Sequence, residues 1–183
     1  MIKRILLLAV VTLAAIAALE VFGQNTNPTA PVIPEAEGYV SIPGAAVPPD
    51  KKRTYRAIYD STRAAKLPTE LVPALDNAGS ELNAFGVEGV SLRNVKFVIV
   101  FHGASVNGIL NDASYKAKFG IANPNLKALS EMKKAGVELF VCGQFLLTEK
   151  IDPKTISPDV TVASDALIVL MSYQNDGYAL MSY

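Results

Sequence analysis

Val95-Lys-Phe-Val-Ile-Val-Phe101 is the stretch that most limits what this chain can fold into. It is almost wholly apolar, and β-branched and aromatic residues of this kind suit a pleated strand. A run with so little polar alternation suits a strand covered on both faces, as the central strand of a parallel sheet is. Parallel neighbours need crossover connections, usually helices, so the flanking sequence should alternate strand and helix. It does. Tyr55-Arg-Ala-Ile-Tyr59 is a strand closed by Asp60-Ser61-Thr62, and Leu71, Leu75, Ala78, Leu82 and Phe85 recur at the spacing of one buried helical face ended by Gly86 and Gly89. After the Val95 strand come a short helical piece around Val106 to Leu110, then a helix capped by Asp112 and stopped at Gly120. Asn123-Pro124 suits the N-cap and first position of the next helix, with Leu126, Leu129 and Met132 facing inward and Gly136 ending it. A strand to Val141, a helix from Gln144 to Lys150, a short strand Val160 to Val162, a helix Ala166 to Tyr173 capped by Ser164 or Asp165, and a last strand from Tyr178 complete the alternation. Five strands in this order call for a parallel sheet sandwiched by helices.

The two ends of the chain differ in kind. Met1-Ile-Lys3-Arg4 is a basic head before an apolar run from Ile5 to Leu19, shorter than the roughly 20 residues that span a bilayer. Residues 1–23 read as a signal peptide with Gln24 as the new terminus. No stable membrane span is expected after its removal, and the expected location is periplasmic or secreted. From 17 residues of each sign, removal of Lys3, Arg4 and Glu20 leaves 15 basic against 16 acidic residues. A balance so close to neutral gives no electrostatic footprint for nucleic acid. Residues 24–53 hold Pro28, Pro31, Pro34, Pro43, Pro48 and Pro49 with few large apolar residues, and are expected to form an extended arm or linker and not core. Residues 54–183 are the α/β domain.

No Gly-rich loop of the dinucleotide type follows the first strand and no Gly-x-Ser-x-Gly occurs, which disfavours a Rossmann oxidoreductase, a P-loop enzyme or an ordinary serine hydrolase. No cofactor is expected. The chain has one cysteine, Cys142, so neither an internal disulfide nor a multi-cysteine metal site is available. No metal site is expected. Cys142 ends a strand and stands just before a helix, where unpaired N–H groups favour a thiolate, the nucleophilic form. His102 ends the Val95 strand. If the two strands are neighbours, its imidazole can hydrogen-bond the sulfur or take its proton. Gly103, Asn107, Gly143 and Gln144 flank these two positions as candidate pocket residues. Two bland readings stay open beside this one. A buried Val-Cys-Gly is also ordinary core packing, and His102 can equally tie down a loop.

Val98-Ile-Val-Phe-His-Gly103, Leu110-Asn-Asp112 with Tyr115 and Phe119-Gly120, Asn123-Pro-Asn-Leu126, Ala135-Gly-Val-Glu-Leu-Phe-Val-Cys-Gly-Gln144 and the closing Gln174-Asn-Asp-Gly-Tyr178 together resemble the DsrE/DsrF-like family of small sulfur-relay proteins. The resemblance implies a three-layer α/β/α sandwich with a five-stranded, mainly parallel sheet, assembled as a homo-oligomer. It further implies that Cys142 carries sulfane sulfur as a persulfide, exchanged with a thiol or persulfide partner protein, making the chain a sulfurtransferase or sulfur carrier. His102 matches the family histidine at the end of the second strand. The alternative is a non-catalytic oligomeric module of the same fold that binds a small ligand or partner.

Overall fold

The computed structural model describes residues 27–183, and the expected signal peptide lies outside them. Five strands form one sheet: β1 (Tyr55–Ser61), β2 (Val95–Phe101), β3 (Glu138–Cys142), β4 (Thr161–Ala163) and β5 (Ala179–Ser182). Every pairing is parallel and the order is β4-β3-β2-β1-β5. The mainly parallel sheet expected from the sequence is thus wholly parallel. Val95 and Phe97 to Phe101 are buried, as a strand with neighbours on both sides and cover on both faces requires.

The helices are α1 (Pro73–Val87), α2 (Asp112–Phe119), α3 (Asn125–Lys134), α4 (Gly143–Thr148) and α5 (Ala166–Asn175), with a 3-10 segment at Gly103–Ile109. Leu75, Ala78 and Leu82 of α1 and Ala128, Leu129 and Met132 of α3 pack with Phe97, Ile99 and Phe101 into the larger core. The opposite face of the sheet carries a smaller core of Ile58, Val98, Val100 and Cys142 under Ala166 and Leu170 of α5. Chain direction explains the imbalance. From β1 to β4 each step moves the same way across the sheet, so right-handed crossovers keep to one face. The return from β4 at one edge to β5 at the other runs the opposite way, and the same handedness sends α5 over the other face. No helix among the described residues is long and apolar enough to cross a membrane.

Two details depart from the sequence expectations and one bears them out. The cap of α2 is Asn111, whose side chain accepts from the Ser114 N–H, while Asp112 accepts from the Asn123 backbone N–H instead. Asn123 caps α3 as expected: its Oδ1 accepts from the Asn125 backbone N–H at 2.9 Å across an already helical Pro124, while its amide donates to the Gly108 and Leu110 carbonyls. The proline-rich arm also enters the core. Ile33 is fully buried and Ala36 nearly so, held by Asn83 of α1, whose side-chain oxygen accepts from the Val32 and Ile33 N–H groups at 3.0 and 2.8 Å. Its amide nitrogen donates to the Ile33 and Glu37 carbonyls, both at 3.0 Å. Prolines remove donors from a segment, and a buried asparagine supplies partners for the donors and acceptors that remain.

Candidate functional site

Cys142 is the last residue of β3 and the N-cap of α4. Strand β3 leads into α4, whose Leu146 joins the larger core, while its neighbour β4 leads into α5 on the opposite face. Adjacent strands whose carboxyl ends diverge to opposite faces open a crevice, and in parallel α/β sheets ligands gather at such switch points. Cys142 lies between these two diverging ends and is only 5% exposed. Sγ accepts from the Phe145 N–H at 3.4 Å, in the first turn of α4, and from the Ala166 N–H at 3.3 Å, at the start of α5. Two helix amino termini therefore each direct a backbone N–H donor at one sulfur.

Asp165 adds the opposing element. Its Oδ1 caps α5 by accepting from the Leu167 and Ile168 N–H groups at 2.8 and 3.2 Å, which fixes the carboxylate. Its Oδ2 lies 3.9 Å from Sγ, so the thiol S–H donates toward it. Sequence reading placed Asp165 as a cap of α5 and missed its approach to Cys142. A cap residue announces itself by position, but which sulfur it faces depends on how β4 pairs with β3.

His102 follows Phe101, which pairs in register with Val141. Its backbone is still extended, so it lies one step beyond that pair, level with Cys142 on a neighbouring strand about 4.8 Å away. Alternation puts Val100 and His102 on the α5 side of the sheet, as it does Cys142. The imidazole is engaged elsewhere. Nε2 meets Oδ1 of Asp60, on β1, at 2.7 Å, with both side chains about a quarter exposed. Among the described residues no hydrogen bond joins His102 to Cys142. The carboxyl edge thus carries Asp60, His102 and Cys142 on three adjacent strands, the first two as a pair and the third bound to the two helix starts.

The flanking positions divide. Gly143 is required by close packing, since a Cβ there would stand 2.6 Å from the Ala163 carbonyl oxygen and drive β4 away from the start of α4. Gly103 has φ of +60° and a Cβ would approach the Thr62 carbonyl, so it turns the chain sharply after His102. Gln144 is exposed and its backbone N–H donates to the Ser164 carbonyl, a second tie between α4 and the end of β4. Asn107 is drawn away from the cysteine: it donates to Ala104 O and accepts from Lys118 Nζ at 2.6 Å.

The model of the DsrE/DsrF-like family matches residues 57–183. No curated protein matches the chain. Among solved structures, a protein of unknown function from Methanobacterium thermoautotrophicum is similar at 18% identity and a TM-score of 0.54, over 70% of this chain and 99% of its own. The ychN protein from E. coli is similar at 11% identity and a TM-score of 0.47, again over 70% of this chain and 99% of its own. The first of these likenesses is one of fold.

Proposed function

This chain belongs to the DsrE/DsrF-like family, and from that premise we propose that it carries sulfane sulfur on Cys142. The observation that supports the reading is the pair of N–H donors from Phe145 and Ala166 converging on Sγ. In the proposed step the Cys142 thiolate attacks the outer sulfur of a donor persulfide, R–S–SH. A new sulfur–sulfur bond forms at Cys142, the bond within the donor breaks, and the donor leaves as the thiolate R–S⁻. Passage to an acceptor thiolate is the same exchange in reverse. Asp165 Oδ2 takes the thiol proton before attack, and the Asp60–His102 pair supplies the polar wall of the edge. The test is intact-mass measurement after incubation with polysulfide, with a gain of one sulfur expected. A chain that stays at its original mass excludes the reading.

One observation favours the second reading, a non-catalytic binding module: Cys142 is only 5% exposed. A sulfur that never reacts with a small alkylating reagent in the native protein would decide for it.

The proposed setting is the periplasm or the extracellular space, supported by the basic head and apolar run of residues 1–23. Amino-terminal sequencing of the exported protein is expected to begin at Gln24, and an intact Met1 on the exported chain would exclude cleavage. We also propose a homo-oligomer, supported by the outer face of α5, where Leu167, Ile168 and Met171 are 61%, 52% and 56% exposed. Apolar residues grouped this way mark an association surface. The double variant Ile168→Glu, Met171→Glu is expected to shift the mass in light scattering down to that of one chain. Wild-type protein that is already monomeric at high concentration would overturn the assembly.

A further inference from the structure

The face of the sheet opposite Cys142 holds a second site. Between α1 and the edge of the sheet where β5 lies alongside β1 is a cavity of about 680 Å³. It is lined on the sheet by Tyr59 and Met181, on α1 by Ala84 and Phe85, and from the proline-rich arm by Pro48 and Pro49. Ligand sites for small molecules run from roughly 300 to 1,000 Å³ and combine apolar walls with a few placed polar groups. Tyr59 supplies such a group. Its ring is held edge-on by Phe97 at 5.2 Å and stacked by Tyr183 at 5.9 Å, and the residue is only 1% exposed. Its hydroxyl nevertheless makes no hydrogen bond to any described residue. Tyr59 lines the cavity, so a hydroxyl with no protein partner is a donor left for a bound molecule. Burial first, and Glu81 second, hold it protonated well above the ordinary phenol range.

The chemistry of the occupant follows from these walls. Tyr55, Phe85 and Tyr183 join Tyr59 in an aromatic lining, which favours a planar aromatic body over a flexible chain. The charges around the cavity cancel, Asp50 and Glu81 against Arg53 and Arg56, and the carboxylate of Glu81 near the hydroxyl opposes an anion there. We propose that this cavity binds a neutral, planar aryl carbonyl compound whose carbonyl oxygen accepts from the Tyr59 hydroxyl. The site stands apart from the sulfur chemistry proposed for Cys142, and neither depends on the other.

Prodan, a neutral naphthyl ketone whose emission moves to the blue when it leaves water, is the probe. Titrated into the full chain, it is expected to show saturable binding at one site per chain with a blue shift. Tyr59→Phe keeps the ring and removes the donor, and should weaken binding about three- to tenfold, the scale of one net hydrogen bond. Ala84→Trp fills the cavity from α1 and should abolish the saturable phase. Ala179→Trp does the same from the exposed strand β5, so the result does not hang on one variant folding. Circular dichroism and thermal unfolding of the tryptophan variants serve as controls for intact structure. No saturable binding by the wild-type chain would overturn the proposal. So would binding that survives both tryptophans, which would assign the dye to the apolar face of α5, or binding indifferent to Tyr59→Phe. A wild-type oligomer that closes the cavity to prodan, opened only by dissociation, overturns it in favour of a second copy of the chain.

Discussion

Cys142→Ser is expected to abolish sulfur loading outright: after incubation with polysulfide the variant keeps its original mass while the wild-type chain gains one sulfur. The loss is all-or-none because the chain has a single cysteine, so no second thiol can carry the sulfur. Serine keeps the shape of the site closely enough to test chemistry separately from structure. Its hydroxyl can still accept from the Phe145 and Ala166 N–H groups that now bond Sγ, so the starts of α4 and α5 remain satisfied. Unfolding by urea should accordingly change little. A gain of sulfur by the serine variant would place the chemistry elsewhere and remove the basis of the proposed function.

Asn83→Ala has the largest expected effect on stability. One side chain makes four hydrogen bonds to the arm at 2.8 to 3.0 Å, and the residue has no exposed surface. Alanine leaves buried backbone donors and acceptors without partners, at about 1–3 kcal/mol for each group that stays dry. The arm has an escape that caps the total. It can lift away and hydrate those groups, giving up the burial of Ile33 and Ala36, with Ile33 alone contributing about 1.5–3 kcal/mol. The net loss is therefore expected at about 3–4 kcal/mol, read from the urea midpoint at unchanged slope. Limited proteolysis should cut residues 27–50 first. A variant that unfolds within about 0.5 kcal/mol of wild type, the scatter of an ordinary surface substitution, would mean that the arm is held by something other than Asn83.

The two variants probe what was least and most readable in the residues. Strands β1, β2 and β3 and the buried faces of α1 and α3 follow from local patterns, because a strand or helix advertises its burial in its own period. Capping was legible only to within a residue or two. The cap of α2, Asn111 in place of Asp112, depends on competition between adjacent polar side chains that local sequence leaves undecided. The docking of Ile33 was hidden for a different reason. Proline content predicts an extended backbone, and an extended backbone is compatible with burial once a single asparagine fifty residues away supplies its hydrogen bonds.

At the site, the position of Cys142 at a strand end before a helix was readable from the stretch Gly136 to Gln144. Its partners were not. His102 looked like the natural companion because its strand adjoins that of the cysteine, yet its ring nitrogen goes to Asp60 on the far side. The groups that touch the sulfur come from residues 145, 165 and 166, two of them at the start of α5, which the β3–β4 pairing and its packing over the sheet bring to Cys142.

The amino-acid sequence by itself determined the parallel sheet, its alternation with helices and the delivery of the only cysteine to the carboxyl edge, because periodicity and strand burial are local properties. Tertiary structure alone decided what that cysteine meets. The return from β4 to β5 reverses direction across the sheet, right-handed crossover sends α5 to the opposite face, and two helix starts converge on one sulfur, a consequence of chain path that no local pattern contains.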